Sequence, residues 1–295
     1  MTRPRILLTG GSGQVGWELA RALAPLGEVV APPSGTLDLA DEAAMRAVVR
    51  DAAPSLVVNA AAYTAVDRAE EDAGRAHAIN AVAPGVLAEE AARLGAPIVH
   101  FSTDYVFDGE KRAPYSEDDT PAPLGVYGRT KLEGERAVAA AGGAHLVIRT
   151  AWVYGRRGHN FLLTMLRAAR ERDELRVVAD QFGAPTWSRM LAGGTAAIVA
   201  RMRDGEGFSL QPRDRGVYHL GAAGVTSWHG FAEAILAADP ARSEQRAQRV
   251  VPISTREYPT PARRPAYSVL AGARAAAVFG VALPDWRRQL ELCME

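Results

Sequence analysis

A glycine-rich turn near the start of the chain constrains the fold more than any other feature. The run Gly10-Gly11-Ser12-Gly13-Gln14-Val15-Gly16 follows a short apolar strand pattern at 6–8 and opens a helical pattern that extends to about residue 26. Glycines at this spacing let the backbone turn tightly and approach a pyrophosphate, which then rests on the helix N-terminus. A strand, turn and helix in this order predict dinucleotide binding, whereas an isolated glycine turn would serve only chain reversal and helix packing.

Strand and helix patterns alternate through the first half of the chain. Apolar runs at 28–31, 56–59, 97–102 and 146–149 are separated by helical patterns at 41–53, 73–94 and 126–141. Asp41 is expected to cap the first of these helices, and Pro84 to kink the second. This alternation predicts βαβ units and a doubly wound parallel sheet of the Rossmann type, an α/β fold.

The rhythm changes after residue 150, which indicates a second, smaller part. We expect residues 1–150 to form an NAD(P)-binding domain and residues 151–295 to form mainly a substrate-binding α/β lobe, some of whose segments return to the sheet. Helices are predicted at 161–171, 188–202 and 227–237, with strands near 176–178 and 217–220. The tail from Tyr258 is rich in proline and arginine and predicts irregular structure over a surface.

Composition excludes several classes of partner. The 295 residues include 34 basic and 34 acidic side chains, so no overall positive field favours nucleic acid or anionic lipid. Cys293 is the only cysteine, which excludes an intramolecular disulfide and a cysteine-held metal cluster. No apolar window approaches the roughly 20 residues that span a bilayer. We therefore expect a cytoplasmic protein without a membrane or nucleic-acid partner.

A tyrosine and a lysine four residues apart form the candidate catalytic pair. Tyr127 and Lys131 begin a predicted helix, on which residues four apart share a face. A neighbouring ammonium stabilises a phenolate and so eases proton transfer near neutral pH. Only two of the 34 basic residues are lysines, Lys111 and Lys131, so a specific role is favoured over that of an exposed polar pair.

Two strand ends offer further candidate ligand contacts. Thr103 and Asp104 follow one strand, and the run Asn59-Ala60-Ala61-Ala62-Tyr63-Thr64 ends another. Ligands of open α/β sheets bind beyond the carboxyl ends of the strands, although ordinary turns have similar composition. The second strand ends in Ala31-Pro32-Pro33-Ser34, without the acid that would hold a ribose 2′-hydroxyl, so NADPH is not excluded. Asp38-Leu39 is either an adenine contact or a turn before the next helix.

Longer strings make a more specific pattern. The chain resembles the extended short-chain dehydrogenase/reductase superfamily, and most of all the dTDP-4-dehydrorhamnose reductase family, in seven segments: 13–19, 59–67, 102–109, 126–132, 149–154, 180–186 and 258–265. The resemblance implies an oxidoreductase that transfers hydride from NADPH or NADH to the 4-keto carbon of dTDP-4-dehydro-β-L-rhamnose. The product, dTDP-L-rhamnose, would end its biosynthetic route and supply cell-envelope polysaccharide.

The resemblance also implies residue roles. Tyr127 is the proton donor, Lys131 binds the nicotinamide ribose and lowers the pKa of Tyr127, and Thr103 tunes the proton transfer. Substrate contacts are implied for Thr103, Asp104 and Trp152. Cofactor contacts are expected, from the motif and the resemblance together, for Gly10, Gly13, Gln14, Val15, Gly16, Asp38, Leu39, Ala62, Tyr63, Thr64, Tyr127 and Lys131.

The chain departs from the family pattern at a metal site that some members have and at residue 267. Some members are metal-bridged dimers that use acidic residues; Glu18 is present, but Ser188-Arg189-Met190 offers no carboxylate, so no magnesium site is expected. The chain is expected to be a monomer or homodimer. Tyr267 stands where a small polar residue is typical, and its role is open.

Two other functions compete with reduction. A nucleotide-sugar dehydratase or epimerase is disfavoured because dehydratases carry Thr-Asp-Glu where this chain has Thr103-Asp104-Tyr105. A non-catalytic regulatory subunit would predict a damaged tyrosine–lysine pair or a blocked glycine turn, and neither is seen.

Overall fold

Short apolar runs form the strands of a central sheet in the computed structural model, which describes residues 3–33 and 35–295. The strands are β1 Arg5–Thr9, β2 Glu28–Val30, β3 Leu56–Asn59, β4 Ile98–Thr103, β5 His145–Thr150, β6 Val153–Tyr154, β7 Glu174–Val178, β8 Phe182–Gly183, β9 Thr186–Trp187, β10 Arg203–Asp204, β11 Gly207–Phe208, β12 Gly216–His219, β13 Thr226–Ser227 and β14 Arg249–Ile253. The helices are α1 Gln14–Leu23, α2 Glu42–Ala52, α3 Val66–Glu71, α4 Ala73–His77, α5 Ala83–Arg93, α6 Val126–Ala140, α7 Phe161–Glu171, α8 Ser188–Arg201, α9 Trp228–Ala238, α10 Ala273–Phe279 and α11 Trp286–Met294.

Six strands pair in the order β12-β5-β4-β3-β1-β2, and all of these pairs are parallel. The chain order reverses at β1 and β3, where Thr9 lies opposite Asn59. In open parallel sheets such a reversal leaves a crevice at the carboxyl ends of the strands, where ligands bind. The expected Rossmann-type doubly wound sheet is therefore confirmed, and its geometry places the glycine turn at the crevice.

Helices cover both faces of the sheet. Ile6 and Leu8 of β1 pack in one cluster with Leu19 of α1 and Leu191 of α8. Leu7 points to the opposite face and packs with side chains of α2 and α5. Strands buried on both faces need continuous apolar sequence, which explains why β1 and β3 lack a polar alternation.

Segments beyond residue 150 return to the sheet, as expected. Strand β12 pairs with β5, and α8 packs on α1, so the sheet and its covering layer both draw on the second half of the chain. A second core cluster lies within the second half and includes Tyr154, Phe231 and Trp286. The division into a cofactor domain and a substrate lobe stays a prediction. None of the described helices is both long and apolar enough to span a membrane.

The helix predicted at 73–94 is interrupted next to Pro84, the residue at which we expect a kink. Helix α4 is followed by a π-helical turn at Ala78–Val82, and α5 then restarts with Pro84 in its first turn. Proline has no N–H to donate to the carbonyl of Asn80, four residues earlier. The side chain of Asn80 is also occupied, since it accepts from the N–H of Tyr63 at 2.8 Å and donates to the Tyr63 carbonyl at 3.1 Å.

The prediction of an irregular tail was wrong, because the tail contains α10 and α11. Trp286, Leu290, Cys293 and Met294 are all buried in the second core cluster. Their spacing of four, three and one residues places them on one face of a helix. The prolines and arginines at the start of the tail, in 258–265, drew attention away from the amphipathic pattern that follows.

Glu90 ties α5 to α2 through a cluster of arginines. Its carboxylate accepts hydrogen bonds from Arg46 at 2.9 Å, Arg50 at 2.9 Å and Arg93 at 2.7 Å. The guanidinium of Arg50, helped by that of Arg46, lowers the pKa of Glu90 from 4.5 to about 2. The folded state therefore binds the Glu90 proton more weakly than the unfolded chain does.

We predict that the Glu90→Gln variant is less stable than wild type at pH 7 by about 1 to 2 kcal/mol. Because the folded-state pKa is depressed, this difference should be complete above pH 4.5 and shrink as the pH falls toward about 2. Urea unfolding between pH 7 and pH 3 measures it. Glu89→Gln, which removes a half-exposed neighbour, is the control and should show little change. A Glu90→Gln difference that stayed constant with pH would contradict the assignment.

Candidate active site

The glycine turn has a geometry that only glycine permits at its first position. Gly10 has φ of +75°, and a Cβ placed on it would lie 2.6 Å from the amide nitrogen of Ala61 at the end of β3. A Cβ on Gly16 would strike the carbonyl oxygen of Gly10. Gly13 caps α1 without a side chain, so the first N–H groups of the helix have no side-chain acceptor. Such an end suits an anionic pyrophosphate.

A cavity of about 430 Å³ opens beside this turn. Four of the predicted cofactor residues line it: Gly10, Asp38, Leu39 and Ala62. Arg75 lines it as well and lies 3.8 Å from the carboxylate of Asp38, a cation that the sequence did not single out. Pro32 from the end of β2 also lines it, whereas Ser34 lies outside the described residues.

The other predicted cofactor contacts do not line this cavity. Gln14, Val15 and Gly16 form the first turn of α1. The side chain of Gln14 accepts a hydrogen bond from Asn160 at 2.9 Å, which ties the turn to the second half of the chain. Tyr63 is partly buried and Thr64 is exposed, and the cofactor roles of both stay predictions.

Tyr127 and Lys131 lie in the first two turns of α6, and Lys131 is only 2% exposed. The Lys131 amine donates to the carbonyl oxygen of Phe101 at 2.6 Å. Burial lowers the pKa of Lys131 to about 8, and the charge of Glu135 opposes this. A lysine in this position is not an exposed polar partner. The alternative of a solvated surface pair is therefore excluded.

The phenol of Tyr127 is poised to keep its proton in the cofactor-free protein. Burial raises its pKa to about 12, whereas the resemblance implied a pKa lowered by Lys131; here only the hydroxyl of Thr103 lowers it. The edge of the Tyr105 ring packs on it, with ring centroids 5.5 Å apart. Thr103 and Tyr127 thus meet in space, as the predicted catalytic set requires.

Thr103 ends β4, Asp104 follows it, and both are buried. The Thr103 hydroxyl donates to Oδ1 of Asp104 at 3.1 Å and accepts from the N–H of Tyr105 at 3.2 Å. Among the described residues Oδ2 of Asp104 has no hydrogen-bond partner. Burial raises the pKa of Asp104 to about 6, and the nearby hydroxyls of Ser268 and Thr103 act in the opposite direction, although neither hydroxyl reaches Oδ2 with hydrogen-bond geometry. An unpaired acceptor at a strand end can receive a hydroxyl group of a ligand.

Trp152 is held in an unusual conformation beside the site. Its φ of +48° lies in the left-handed region, which non-glycine residues rarely adopt. Its ring stacks on Trp228 at 3.5 Å between centroids, and a side chain on Gly183 would collide with it. Strain of this kind persists only where the surroundings enforce it, and it is frequent at ligand sites.

Trp228 lines a second cavity, of about 450 Å³, which is formed by the second half of the chain. Apolar side chains and several arginines share its lining, including Phe161, Trp228, Tyr258, Arg172, Arg176 and Arg264. No local motif points to Trp228, and Arg264 lies only within the family-like segment 258–265; stacking and ion pairing bring both in from distant segments. Tyr267 pairs with Phe182 through a backbone bridge nearby, and its role stays open.

The residues around Glu18 do not fit the metal that the family resemblance raised. Oε2 of Glu18 lies 3.5 Å from the guanidinium of Arg189, so a cation of the chain itself faces this carboxylate. Magnesium prefers several oxygen ligands. Within 3–33 and 35–295, no group of three histidine, cysteine, aspartate or glutamate side chains is arranged to hold a metal ion.

We predict that Asp104→Asn stabilises the protein by about 2 kcal/mol at pH 7. The folded-state pKa of about 6 exceeds the ordinary 3.8, so the cost of ionising Asp104 is complete above pH 6 and vanishes below 3.8. Thermal unfolding at pH 7 and pH 4 measures it. Asp108→Asn is the matched control of opposite sign, since hydrogen bonds lower the Asp108 pKa. An Asp104→Asn variant less stable than wild type at pH 7 would refute the assignment.

The chain is similar to known proteins over almost its whole length. The family model described as "RmlD substrate binding domain" matches residues 4–295. A protein of Burkholderia thailandensis named dTDP-4-dehydrorhamnose reductase is 52% identical over 98% of both chains. One of the same name from Escherichia coli K12 is 43% identical over 96% of this chain and 94% of its own.

Solved structures agree. A dTDP-4-dehydrorhamnose reductase from Clostridium acetobutylicum superposes with a TM-score of 0.89 at 37% identity, covering 98% of each chain. That of Bacillus anthracis, in complex with NADP, has a TM-score of 0.86 at 32% identity over 99% of each chain. A Thermus thermophilus UDP-glucose 4-epimerase, at 21% identity and 0.79 over 98% of this chain and 97% of its own, shares the fold. The chain therefore belongs to the RmlD substrate binding domain family, among the dTDP-4-dehydrorhamnose reductases.

Proposed function

We propose that this protein reduces the 4-keto group of dTDP-4-dehydro-β-L-rhamnose to dTDP-L-rhamnose, the last step in making that nucleotide sugar. The observation that carries the proposal is the pair of the partly buried Tyr127 and the buried Lys131 on α6, with the Thr103 hydroxyl beside the phenol. Relatives at 52% and 43% identity bear the name of this activity, and nearly full coverage of both chains supports the transfer.

The glycine turn and the 430 Å³ cavity fit NADPH or NADH. When bound, the reduced nicotinamide supplies a hydride to the carbonyl carbon and leaves as the oxidised cofactor. The N–H groups at the start of α1 would hold the pyrophosphate, and Asp38 and Leu39 would contact the adenine side. The Bacillus anthracis relative was solved in complex with NADP, which supports a nicotinamide cofactor for this chain. NADPH and NADH both stay candidates.

Tyr127 would donate the proton that the carbonyl oxygen needs as it becomes a hydroxyl. With a pKa of about 12, the phenol is protonated at neutral pH and therefore ready as a donor. The amine of Lys131 on the same face of α6 would stabilise the phenolate left behind. Thr103 would hydrogen-bond the phenol and the substrate oxygen and so align the transfer. A proton from solvent then restores Tyr127.

The 450 Å³ cavity suits the nucleoside diphosphate half of the substrate. Arg172, Arg176 and Arg264 line it and offer cations to the two phosphates, while Trp228 and Tyr258 offer faces for a base. Trp152, stacked on Trp228, would separate this cavity from the keto-sugar at Thr103 and Asp104. We therefore assign residues 151–295 mainly to substrate and residues 1–150 to the cofactor, in a cytoplasmic monomer or homodimer.

The residues that follow β4 do not suit a dehydratase. Tyr105 stands where a dehydratase has a glutamate, and burial raises the pKa of its phenol above the ordinary value. A neutral phenol of this kind does not abstract a proton at neutral pH. The epimerase likeness, at 21% identity, supports only the fold.

We predict that Tyr127→Phe lowers kcat by about 100-fold or more, because a phenyl ring has no proton to donate. Cofactor binding should remain close to that of wild type. The measurement is cofactor oxidation with dTDP-4-dehydro-L-rhamnose made in situ, together with cofactor titration by fluorescence.

Tyr218→Phe is the matched control, since Tyr218 is a buried phenol on β12 whose hydroxyl donates to the Asp214 carbonyl. It should leave kcat nearly unchanged. Retention of turnover by Tyr127→Phe would remove Tyr127 from the mechanism. Loss of turnover in both variants would point to a general loss of structure.

A further inference from the structure

A chain of buried polar groups connects the glycine turn to Lys131. Thr9 is 1% exposed, Asn59 and His100 are 0% exposed, and Lys131 is 2% exposed. They come from β1, β3, β4 and α6, so four elements meet at this chain of contacts. Groups buried this deeply must satisfy one another, and their donor and acceptor roles can be worked out in sequence.

Asn59 fixes the first role. Its Oδ1 accepts a hydrogen bond from the Thr9 hydroxyl at 2.6 Å and another from the N–H of Ala61 at 3.2 Å. A backbone N–H can only donate, so the oxygen of the amide must face Ala61. The Asn59 amide nitrogen then faces Nδ1 of His100 at 3.0 Å and donates to it.

The tautomer of His100 follows. Burial lowers the pKa of His100 well below its ordinary value, and the charge of Lys131 lowers it further, so the ring is neutral. A neutral imidazole carries one proton. Since Nδ1 accepts from Asn59, that proton resides on Nε2, which lies 3.3 Å from Nζ of Lys131.

This tautomer disfavours the charged form of Lys131. An ammonium group has only donors, so it would oppose the N–H on Nε2 of His100. An uncharged amine has a lone pair that accepts from Nε2 and still donates to the carbonyl oxygen of Phe101 at 2.6 Å. One tautomer and one amine state therefore satisfy every contact in the chain.

The other charges near Lys131 are accounted for. Glu135, one helical turn further along α6, favours the ammonium, but its oxygens are held by Arg149 of β5 at 2.9 and 2.6 Å and by Ser102 of β4. Tyr127 on the same helix keeps its proton and is neutral. His100 is the only titratable side chain of the described residues that the structure places within hydrogen-bond distance of the amine.

We propose that His100 is a positioning residue that, through the tautomer imposed by Asn59, favours the uncharged amine of Lys131 and so sets the pH above which the site loses its cation. The importance of that cation for reduction rests on the function proposed above. The effect of His100 on the amine does not.

The test uses the scarcity of lysine in this chain. Protein labelled with ¹³C at lysine Cε gives signals from only Lys111 and Lys131, and the Lys111→Arg variant assigns them. Titration of the cofactor-free enzyme by NMR then reports each amine directly. In wild type, Lys131 should lose its proton near pH 8. Lys111, which pairs with Asp119 at the surface, is the internal control and should not move between variants.

The decisive variant is His100→Gln, whose amide oxygen can accept from an ammonium. It should raise the Lys131 titration midpoint by about one pH unit or more, and move the alkaline limb of kcat/KM upward equally. Asn59→Asp, which reverses the hydrogen bond to Nδ1, should shift the midpoint in the same direction and serves if His100→Gln fails to fold. An unchanged midpoint in the folded variants would overturn the proposal. A shifted midpoint with no effect on kcat/KM would support it and remove Lys131 from the proposed reaction.

Discussion

The close docking of α6 against the carboxyl edge of the sheet is the constraint on which the site depends. Lys131 is buried between α6 and β4 and donates to the Phe101 carbonyl, which is only possible if the helix approaches the strand closely. Gly128 and Gly134 allow this close approach. A Cβ on Gly128 would strike the carbonyl oxygen of Tyr105, and a Cβ on Gly134 would strike that of Asn80. The π-helical turn before Pro84 presents that Asn80 carbonyl. The position of α6 thus determines where Tyr127 and Lys131 lie relative to the end of β4.

The second half of the chain completes the site rather than merely covering it. Asn160 reaches the glycine turn through Gln14, and Arg264 forms an ion pair with Asp67 of α3 at 2.7 Å. Trp152 and Trp228 stack between the sheet edge and the larger cavity. A cofactor in the first half and a nucleotide sugar in the second would therefore meet across contacts that already exist in the unliganded protein, which limits the ordering cost of binding.

The sequence predicts those features of the site and fold that depend on interactions between residues close together in the chain. The glycine turn, the Asp41 cap, which accepts from the Ala44 N–H at 3.0 Å, and the Tyr127–Lys131 spacing were all readable because each acts within a few residues. The tail helix α11 was missed because its four apolar positions lie within a sequence rich in charge. The roles of Arg264 and Trp228 and the Asn59–His100 contact could not be predicted, since each depends on partners from distant segments.

The most direct test follows the hydride itself. Nicotinamide cofactor carrying deuterium at the transferred C4 position, as NADPH and as NADH in parallel, is incubated with the enzyme and dTDP-4-dehydro-L-rhamnose. The account predicts dTDP-L-rhamnose with one deuterium at sugar C4, seen by NMR and mass spectrometry, with at least one of the two cofactors. Cofactor binding without deuterium transfer, or label at another carbon, would contradict it.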